Sequence, residues 1–320
     1  MNRIESCAKI EAIPTHEIRP TWSVLIPTYN CATYLEETLQ SVLSQGITSE
    51  RMEIIVIDDH STLDNPEEVV ERIGKGRVLF VQQKQNVGKV RNYETGLKLS
   101  KGKLIHQLHG DDRILPGFYE EMELLFQKFP EADAAFCRTI YIDERGRWKR
   151  ITGMIKENDG IIENLDRILY VNQVIQTPSM VVKREVYENI GGFDRRFNCM
   201  EDWEMWFRIS RHYKVATSNK VLAEYRTHPN NATYLTTIDG SSKKTYKLLK
   251  QLMDSELSNT ITKELVKARK QRETQSIIES ALNSSSKDRF RNKLKTIYSI
   301  NRLNVTVKTI FYSFKILFKK

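Results

Sequence analysis

The segment that decides the fold is WSVLIPTYNCATYLEETLQSVLSQGITSERMEIIVIDD, residues 22–59. It opens with a short apolar run, Trp22–Pro27, which predicts a buried strand that ends at the proline. Tyr34–Gln45 then carries apolar residues at helical spacing, and Glu53–Ile57 is a second apolar, β-branched run. A strand, a helix and a second strand in this order predict a βαβ unit with two parallel strands.

The same alternation continues toward the C-terminus through the first 130 residues. Further apolar runs predict strands at Arg77–Gln82 and Lys103–Leu108. Helical spacing recurs at Pro66–Ile73, Val90–Ser100 and Pro116–Phe129. These elements predict an α/β fold with a mostly parallel, doubly wound sheet flanked by helices.

Polar residues follow three of the predicted strands and give the first indication of function. The clusters are Thr28–Asn30, Asp58–Ser61 and His109–Asp112. Because ligands of such sheets bind outside the carboxyl ends of the strands, we expect the three clusters to form one site.

The rest of the chain predicts a mixed region and two flanking segments. Strands are predicted at Ala134–Asp143, Ser179–Val182 and Val221–Arg226, and helices at Arg184–Ile190 and Asp202–Arg211. Residues 1–20 predict a poorly ordered lead-in. Beyond residue 240 the composition shifts to Lys, Arg, Ser and Leu at helical spacing, which predicts a basic helical region.

Charge is distributed unevenly along the 320 residues, whose net charge is +9. Residues 241–320 contain 19 Lys and Arg but 6 Asp and Glu, so they carry +13 and residues 1–240 carry −4. A basic segment suits an anionic membrane or an acidic partner. Because no nucleic-acid reading motif accompanies it, we expect no nucleic-acid partner. The four cysteines form no CxxC or Cys/His pattern, which predicts a reducing compartment and no structural zinc.

Two pairs of adjacent acids follow predicted strands. Asp111 and Asp112 suit Mg²⁺ or Mn²⁺, since these ions take hard oxygen ligands, although a solvated turn or helix cap is the alternative. Asp58 and Asp59 can accept hydrogen bonds from a ribose hydroxyl or a base N–H, and the alternative for them is an Asx-turn.

A third pair, Glu201 and Asp202, opens a predicted helix beside aromatic residues. Asp at a helix start is commonly a cap. A carboxylate near apolar rings also suits a general base, because such surroundings favour its protonated form. The local sequence leaves both roles open.

Longer segments carry a resemblance to a known family. They are SVLIPTYNCATYLEETLQSVLSQ, EIIVIDDHSTLD, NVGKVRNYETGLKLSKGKLIHQLHGDDRILPGFYE and GGFDRRFNCMEDWEMWFRIS, between about Trp22 and about His228. In this order and spacing they resemble a family 2 glycosyltransferase with the GT-A fold. The resemblance implies a Rossmann-like sheet and an inverting transfer from a nucleotide sugar. It divides residues 21–240 into a nucleotide-binding half, 21–130, and an acceptor half, 131–240, followed by the basic helical region 241–320.

The resemblance also implies which residues contact the nucleotide sugar. They are Pro27, Thr28, Tyr29, Asp58, Asp59, Lys89, Arg91, Asp111, Glu201 and His228. The first three would lie against the base, and the next two would contact uracil and ribose. Lys89 and Arg91 would reach the base or the diphosphate, Asp111 the ribose or the sugar, and His228 the metal or phosphate.

Catalytic roles are implied in the same way. Asp112 resembles the metal-binding aspartate of the DxD-type motif, with Mn²⁺ or Mg²⁺ as the cofactor. Asp202 resembles the catalytic base of the ED motif. Gln176–Ser179 and Gly191–Asp194 match segments that shape the acceptor side.

Two positions depart from the common family pattern. The D-x-D-D motif here has His109 in place of its first acid, which leaves the metal coordination and the donor preference open. The common DDGS has His60 in place of its glycine, and we expect this residue to tighten the turn.

Two alternative functions remain at this level. A nucleotidyltransferase also uses a Rossmann-like sheet and a metal, but it usually has a Gly-rich phosphate loop where this chain has Thr28-Tyr29-Asn30-Cys31. A catalytically degenerate nucleotide-binding or scaffold protein of the same fold is favoured by His109 alone, and Asp112 and Asp202 oppose it.

The last residues predict the location of the protein. Leu303–Lys320 is apolar with interspersed lysines and no acids, which is typical of a basic amphipathic helix. Such a helix either lies on a membrane surface or packs on its own domain. With no secretory signal and no apolar run long enough to span a bilayer, we expect a cytoplasmic protein with peripheral contact at the inner face of the membrane through 303–320. The family resemblance implies that the acceptor is a saccharide or a lipid-linked molecule.

Overall fold

The computed structural model describes residues 3–14, 16–229, 231 and 241–283. Within them the chain forms a 10-stranded sheet with helices against it. The predicted membrane-contacting segment 303–320 lies outside the described residues.

The strands of this sheet have the following bounds. They are β1 (Trp22–Thr28), β2 (Met52–Asp58), β3 (Leu79–Gln82), β4 (Leu104–Gln107), β5 (Arg113–Ile114), β6 (Ala134–Ile142), β7 (Trp148–Ile151), β8 (Gly160–Ile161), β9 (Met180–Lys183) and β10 (Val215–Arg226). Their order is β3-β2-β1-β4-β9-β6-β10-β5, and β7 and β8 pair with β6 and β10.

The helices lie between these strands in the chain. They are α1 (Arg3–Ser6), α2 (Ala32–Leu43), α3 (Pro66–Gly74), α4 (Lys89–Leu99), α5 (Phe118–Lys128), α6 (Leu165–Val171), α7 (Arg184–Ile190), α8 (Glu201–His212), α9 (Ser241–Glu256) and α10 (Lys263–Asn283). A short 3₁₀ helix, Thr177–Ser179, precedes β9.

The predicted parallel sheet is confirmed for the first half of the chain. β1 pairs in parallel with β2 and β4, and β2 pairs in parallel with β3. β6 and β10 are also parallel, but β9 lies antiparallel between β4 and β6. The sheet is therefore parallel from β1 to β4 and mixed beyond β4.

The core lies on both faces of the parallel strands. All seven residues of β1 are buried, as expected for a strand covered by helices on both faces. α2 packs its apolar stripe, Leu35, Leu39 and Val42, into the main core cluster. Burying each such side chain stabilises the fold by about 1.5–3 kcal/mol. The apolar residues at helical spacing therefore hold α2 against the sheet.

The N-terminal residues differ from the prediction of a poorly ordered lead-in. Ala8 and Ile10 are buried, and Cys7 forms an isolated bridge with Asp194. The carbonyl of Ala8 accepts a hydrogen bond from the N–H of Gly192 at 2.8 Å. These contacts could not be predicted because their partners lie more than 180 residues away.

Other differences concern short or irregular strands. β10 begins at Val215, whereas the sequence predicted a strand from Val221, because register shifts between Thr217 and Ala223 interrupt its apolar pattern. β5 and β8, of two residues each, were not predicted since so short a strand leaves no periodicity.

The chain divides into two compact units. The first lies within residues 1–166 and 174–250 and contains the whole sheet. The second comprises residues 167–173 and those that follow residue 250. Within it, the Tyr170 hydroxyl donates to Asp254 at 2.8 Å, and the Arg269 guanidinium lies 4.3 Å from the Tyr170 ring centroid. Among the described helices, none is long and apolar enough to cross a membrane.

Candidate active site

Three side chains meet directly after β4, and we call them the 109–112 cluster: His109, Asp111 and Asp112. One ligand atom from each lies within 4.8 Å of the others. The loop that carries them is fixed to β1, because the N–H of Gly110 donates to the carbonyl of Pro27 at 3.1 Å. A Cβ at Gly110 would lie 3.0 Å from atoms of Thr28 and Cys31, so a larger residue would push the loop away from β1.

The two aspartates of the cluster have different surroundings. Burial and the charge of Asp111 raise the pKa of Asp112 well above its usual value. Burial also acts against ionisation of Asp111, but the hydrogen bond from His228 and the charges of both histidines outweigh it and lower the pKa of Asp111. Burial lowers the pKa of His109 despite the acids beside it, which favours the neutral imidazole.

The cluster has ligand atoms suited to a divalent cation, and one of them is a carboxylate oxygen without a hydrogen-bond donor among the described residues. Oδ1 of Asp112 accepts the backbone N–H of Arg226 at 2.9 Å, while in the described part of the chain Oδ2 is buried and receives no hydrogen bond. A buried carboxylate oxygen without a donor is costly unless an ion or water binds it. The residues therefore fit a cation held by Asp112, Asp111 and His109.

The end of β10 holds the cluster from the other side. Nε2 of His228 lies 3.0 Å from Oδ2 of Asp111. The fully buried Arg226 donates from Nε to the carbonyl of Asp111 at 2.8 Å, and its guanidinium lies 4.6 Å from the Tyr34 ring centroid. Its Nη2 donates to Glu37 of α2 at 2.7 Å. The positions of both aspartates thus depend on β10.

Two residues of α4 lie between the first turn of α8 and the 109–112 cluster. Nζ of Lys89 lies 2.8 Å from Oε1 of Glu201. The hydroxyl of Tyr93, one helical turn after Lys89, lies 3.1 Å from Nε2 of His109 and donates to Oε1 of Glu201 at 3.4 Å. The rings of Tyr93 and His109 also stack, with centroids 5.4 Å apart. A continuous set of contacts therefore joins the 109–112 cluster to the acids of α8.

Asp202 lies beside Glu201 on this turn and contacts the predicted acceptor side. Its Oδ1 accepts the N–H of Trp203 at 2.7 Å, and its Oδ2 accepts the hydroxyl of Thr177 at 3.4 Å. The N-cap of α8 is Met200, so Asp202 is not the cap that the sequence offered as an alternative.

Asp58 and Asp59 end β2, and protein donors already bind both carboxylates. Asp58 accepts the N–H of Ser61 at 2.9 Å and the Gln82 amide at 3.0 Å. Asp59 accepts the N–H groups of Val87 and Gly88 at 2.7 and 3.0 Å. Both side chains hold the loops around the strand ends, as the Asx-turn alternative predicted for Asp58.

His60 occupies the left-handed region at φ 63°. Glycine adopts this conformation at little cost, whereas a side chain strains it. Nδ1 of His60 contacts the carbonyl of Gln83 at 3.2 Å, which fixes the ring over the turn.

The remaining predicted nucleotide contacts line the ends of β1 and α4. Pro27 and Thr28 are buried at the end of β1, and Tyr29 follows them with 48% of its surface exposed. Lys89 opens α4, and Arg91 has an exposed side chain in the same first turn. Tyr29 and Arg91 are therefore accessible to a ligand, whereas Pro27 and Thr28 support the loop.

Two segments were predicted to shape the acceptor side, and they lie before and after α7 in the chain. Gln176 precedes the 3₁₀ helix that brings Thr177 to Asp202. Gly191, at φ 78°, ends α7, and buried Asp194 then binds Arg196 through both carboxylate oxygens.

Sequence reasoning missed Tyr93, Arg226 and Glu37. Tyr93 follows Lys89 by four residues on the same helix face, a signal that could have been used. Arg226 ends β10 two residues before His228, so its position next to a predicted site residue was a signal that could have been used. Nothing local distinguishes Glu37, whose partner is 189 residues away.

Comparisons with known sequences identify a family and several relatives of this chain. The model of the family described as glycosyl transferase family 2 matches residues 23–191. An uncharacterized glycosyltransferase of Methanocaldococcus jannaschii is 25% identical over 236 residues, which cover 72% of this chain and 79% of that protein. One of Haemophilus influenzae is 28% identical over 221 residues, covering 66% of this chain and 67% of that protein.

Solved structures show the same fold at lower identity. The crystal structure of S. aureus TarS 1-349 in complex with UDP has a TM-score of 0.61 and 16% identity, covering 93% of this chain and 88% of that one. The complex of the same fragment with UDP-GlcNAc has a TM-score of 0.59 and 17% identity, with the same coverage. Against the longer TarS chain, this chain spans 50% of the length at a TM-score of 0.58.

Proposed function

Because the chain belongs to glycosyl transferase family 2, we propose that it moves a sugar from a nucleotide-diphosphate sugar to an acceptor hydroxyl. The proposed donor is a UDP-sugar, supported by the UDP and UDP-GlcNAc complexes of TarS, a protein of similar fold. The proposed acceptor is a saccharide or lipid-linked molecule of a surface polysaccharide or glycolipid.

The observation that carries this proposal is the chain of contacts from the 109–112 cluster to α8. His109, Tyr93 and Glu201 are joined at 3.1 and 3.4 Å, and Asp202 is the next residue. In the proposed arrangement, a diphosphate bound at the cluster lies on one face of the reacting sugar and the Asp202 carboxylate lies on the other. Transfer with inversion needs this arrangement, since nucleophile and leaving group are on opposite faces.

The proposed reaction is a single displacement. Asp202 accepts the proton of the acceptor hydroxyl, and that oxygen forms a bond to the anomeric carbon. The bond between this carbon and the diphosphate oxygen breaks, and the electron pair leaves with the diphosphate. A base in this position contributes about 10²–10⁴-fold to the rate.

Charge on the departing diphosphate requires cationic groups. Asp111 and Asp112 would hold a divalent cation, which stabilises negative charge on phosphate oxygens when bound. Lys89, Arg91 and His228 are the proposed protein groups for the same charge. Because Lys89 is paired with Glu201, donor binding would exchange part of that ion pair for a phosphate contact.

The first experiment is thermal-shift binding of UDP, GDP, TDP and CMP, each with Mn²⁺ and with EDTA. A ligand that binds only the native state raises its melting temperature by mass action. We expect UDP to stabilise the protein with Mn²⁺ and to lose this effect in EDTA. No shift with any nucleotide would contradict the proposal.

Asp202→Asn then tests the assigned base. We expect it to lower UDP release from a UDP-sugar by about 10²-fold or more while the UDP-dependent thermal shift stays unchanged. Glu120→Gln, an exposed acid on α5, is the control and should leave both unchanged. Loss of UDP binding in Asp202→Asn would argue against the role.

The same assays separate catalysis from the degenerate alternative. A wild-type chain that binds UDP with Mn²⁺ but neither transfers nor hydrolyses UDP-sugars would be a nucleotide-binding protein of the same fold.

A further inference from the structure

His109 stands where the common motif has an acid, and its imidazole faces Asp112. Nδ1 of His109 lies 3.7 Å from Oδ2 of Asp112, too far for a hydrogen bond. Two ligands bound to one cation at about 2.0–2.2 Å lie about 3–4 Å from each other. The separation is therefore the one expected for two ligands of the same ion, and Oδ2 is the buried oxygen that receives no hydrogen bond from the described residues.

Contacts on the opposite ring nitrogen determine which tautomer His109 adopts. The Glu201 carboxylate, paired with Lys89, is an acceptor, so the Tyr93 hydroxyl donates to it. The Tyr93 oxygen then accepts Nε2–H of His109 at 3.1 Å, which leaves the Nδ1 lone pair toward Asp112. Metal-binding histidines commonly donate their other N–H to such a partner.

This tautomer of His109 also requires that the side-chain amide of Gln107 presents its oxygen to Nε2. The Gln107 amide nitrogen is placed 3.4 Å from Nε2 of His109. Nitrogen and oxygen of an amide exchange places by a flip, and the oxygen accepts from Nε2–H. Tyr93 and Gln107 then both act as acceptors for the same proton.

From this geometry we propose that His109 is a cation ligand through Nδ1 and makes the site prefer Mn²⁺ and similar transition-metal ions to Mg²⁺. Imidazole nitrogen suits transition metals, whereas Mg²⁺ is bound mainly by carboxylate, phosphate and water oxygens. Tyr93 is a positioning residue, since it acts on the cation through His109. The proposal rests on the cation site in the proposed function, but it concerns binding and needs no turnover.

The experiment measures Mn²⁺ binding to the full chain by electron paramagnetic resonance, with Mg²⁺ as competitor, and with and without UDP. In the wild type, pulsed spectra of bound Mn²⁺ should show coupling to an imidazole nitrogen. His109→Asp should lose this coupling and reduce the preference for Mn²⁺ over Mg²⁺ by about tenfold or more. Tyr93→Phe should keep the coupling and weaken Mn²⁺ binding by about 10–100-fold.

Controls keep the result specific to this residue. His16→Asp makes the same substitution at an exposed histidine and should match the wild type. His109→Asn provides a variant of closer size, and circular dichroism verifies that each variant is folded. If the nitrogen coupling persists without His109 and disappears in His228→Asn, the ligand is His228 and the proposal is wrong.

The outcomes for this proposal and for the proposed function are distinguishable. Nitrogen-coupled Mn²⁺ without UDP-sugar turnover would retain the His109 assignment and reject the transferase assignment. If the protein turns over UDP-sugars but His109→Asp has the same preference for Mn²⁺ over Mg²⁺ as the wild type, the transferase assignment is retained. The His109 assignment is then rejected.

Discussion

Asp58 and Asp59 are adjacent and of the same type, yet they hold different parts of the chain. Asp58 binds Ser61 and Gln82 within its own turn and the next strand. Asp59 binds two backbone N–H groups of the loop that leads into α4. The sequence predicted that both acids lie at a strand end. It could not assign these partners, because Asp59 and the loop are 28 and 29 residues apart.

Asp59→Asn tests the bonds between the Asp59 carboxylate and the N–H groups of Val87 and Gly88. An amide can offer an oxygen to one of the two N–H groups, so the other loses its acceptor. We expect a loss of about 1–3 kcal/mol in the free energy of unfolding, measured by urea titration. UDP affinity should also fall, since the loop positions Lys89.

Asp133→Asn is the matched control, because among the described residues the Asp133 carboxylate accepts one backbone N–H, from Lys214 at 3.0 Å. It should cost less than Asp59→Asn and leave UDP affinity unchanged. Equal losses in the two variants would show that Asp59 has no special part in holding the nucleotide loop.

Strand β10 contributes more contacts to the candidate site than the sequence predicted. Its C-terminal end provides Arg226, followed by His228, and these residues contact Asp111, Asp112 and Glu37. The sequence predicted the strand and one of its site residues. It could not predict the pairing with the loop after β4, because register across a sheet depends on packing and not on local pattern.

Arg226→Lys tests β10 as the support of the 109–112 cluster. Lysine keeps the charge but lacks the planar fork that joins the Asp111 carbonyl to Glu37. Removing such an outer partner typically costs about 10–100-fold in metal affinity or activity, and we expect this loss for Mn²⁺ binding and UDP release. Glu37→Gln, at a more exposed position, should change both in the same direction by less.

Arg150→Lys in β7 provides the control, since its guanidinium lies over the Tyr141 ring and contacts no residue of the cluster. Wild-type Mn²⁺ affinity in Arg226→Lys would mean that the backbone N–H alone positions Asp112.

At the scale of the whole molecule, the sequence predicted the order of the regular elements well and their long-range contacts poorly. Apolar runs such as β1 and β2, and stripes such as that of α2, have strong periodicity, so they could be located within a few residues. The contact of the N-terminal residues with the turn after α7 has no such signal. It depends on which loops the completed sheet brings together.

One buried histidine connects β4 with α5 and with the 3₁₀ helix before β9, and it gives the unfolding of the protein a pH dependence. His106 of β4 lies 3.1 Å from the Tyr119 hydroxyl and 3.0 Å from the Pro178 carbonyl. Burial lowers the pKa of His106 to about 4 from its ordinary 6.5. The folded protein therefore holds this imidazole neutral at pH values where the unfolded chain protonates it.

We expect this difference to appear in urea unfolding. A folded-state pKa below that of the unfolded chain means full stability above about pH 7.5 and a decline as pH falls from 6.5 toward 4. Between pH 8 and pH 5 the wild type should lose about 2 kcal/mol more than His106→Gln, which has a donor and an acceptor but no titration. His16→Gln, at an exposed site, should keep the wild-type slope, and parallel curves for wild type and His106→Gln would contradict the assignment.

The bond between Asp112 and β10 has a consequence for how such a site can drift over evolutionary time. Oδ1 of Asp112 is held by a peptide N–H, not by a side chain. Every amino acid except proline has this donor, so a substitution at position 226 keeps this one bond to the carboxylate even where it loses the side-chain bonds to Asp111 and Glu37. Substitutions that change only the side chain would not reveal this bond, and proline is the single amino acid that removes it.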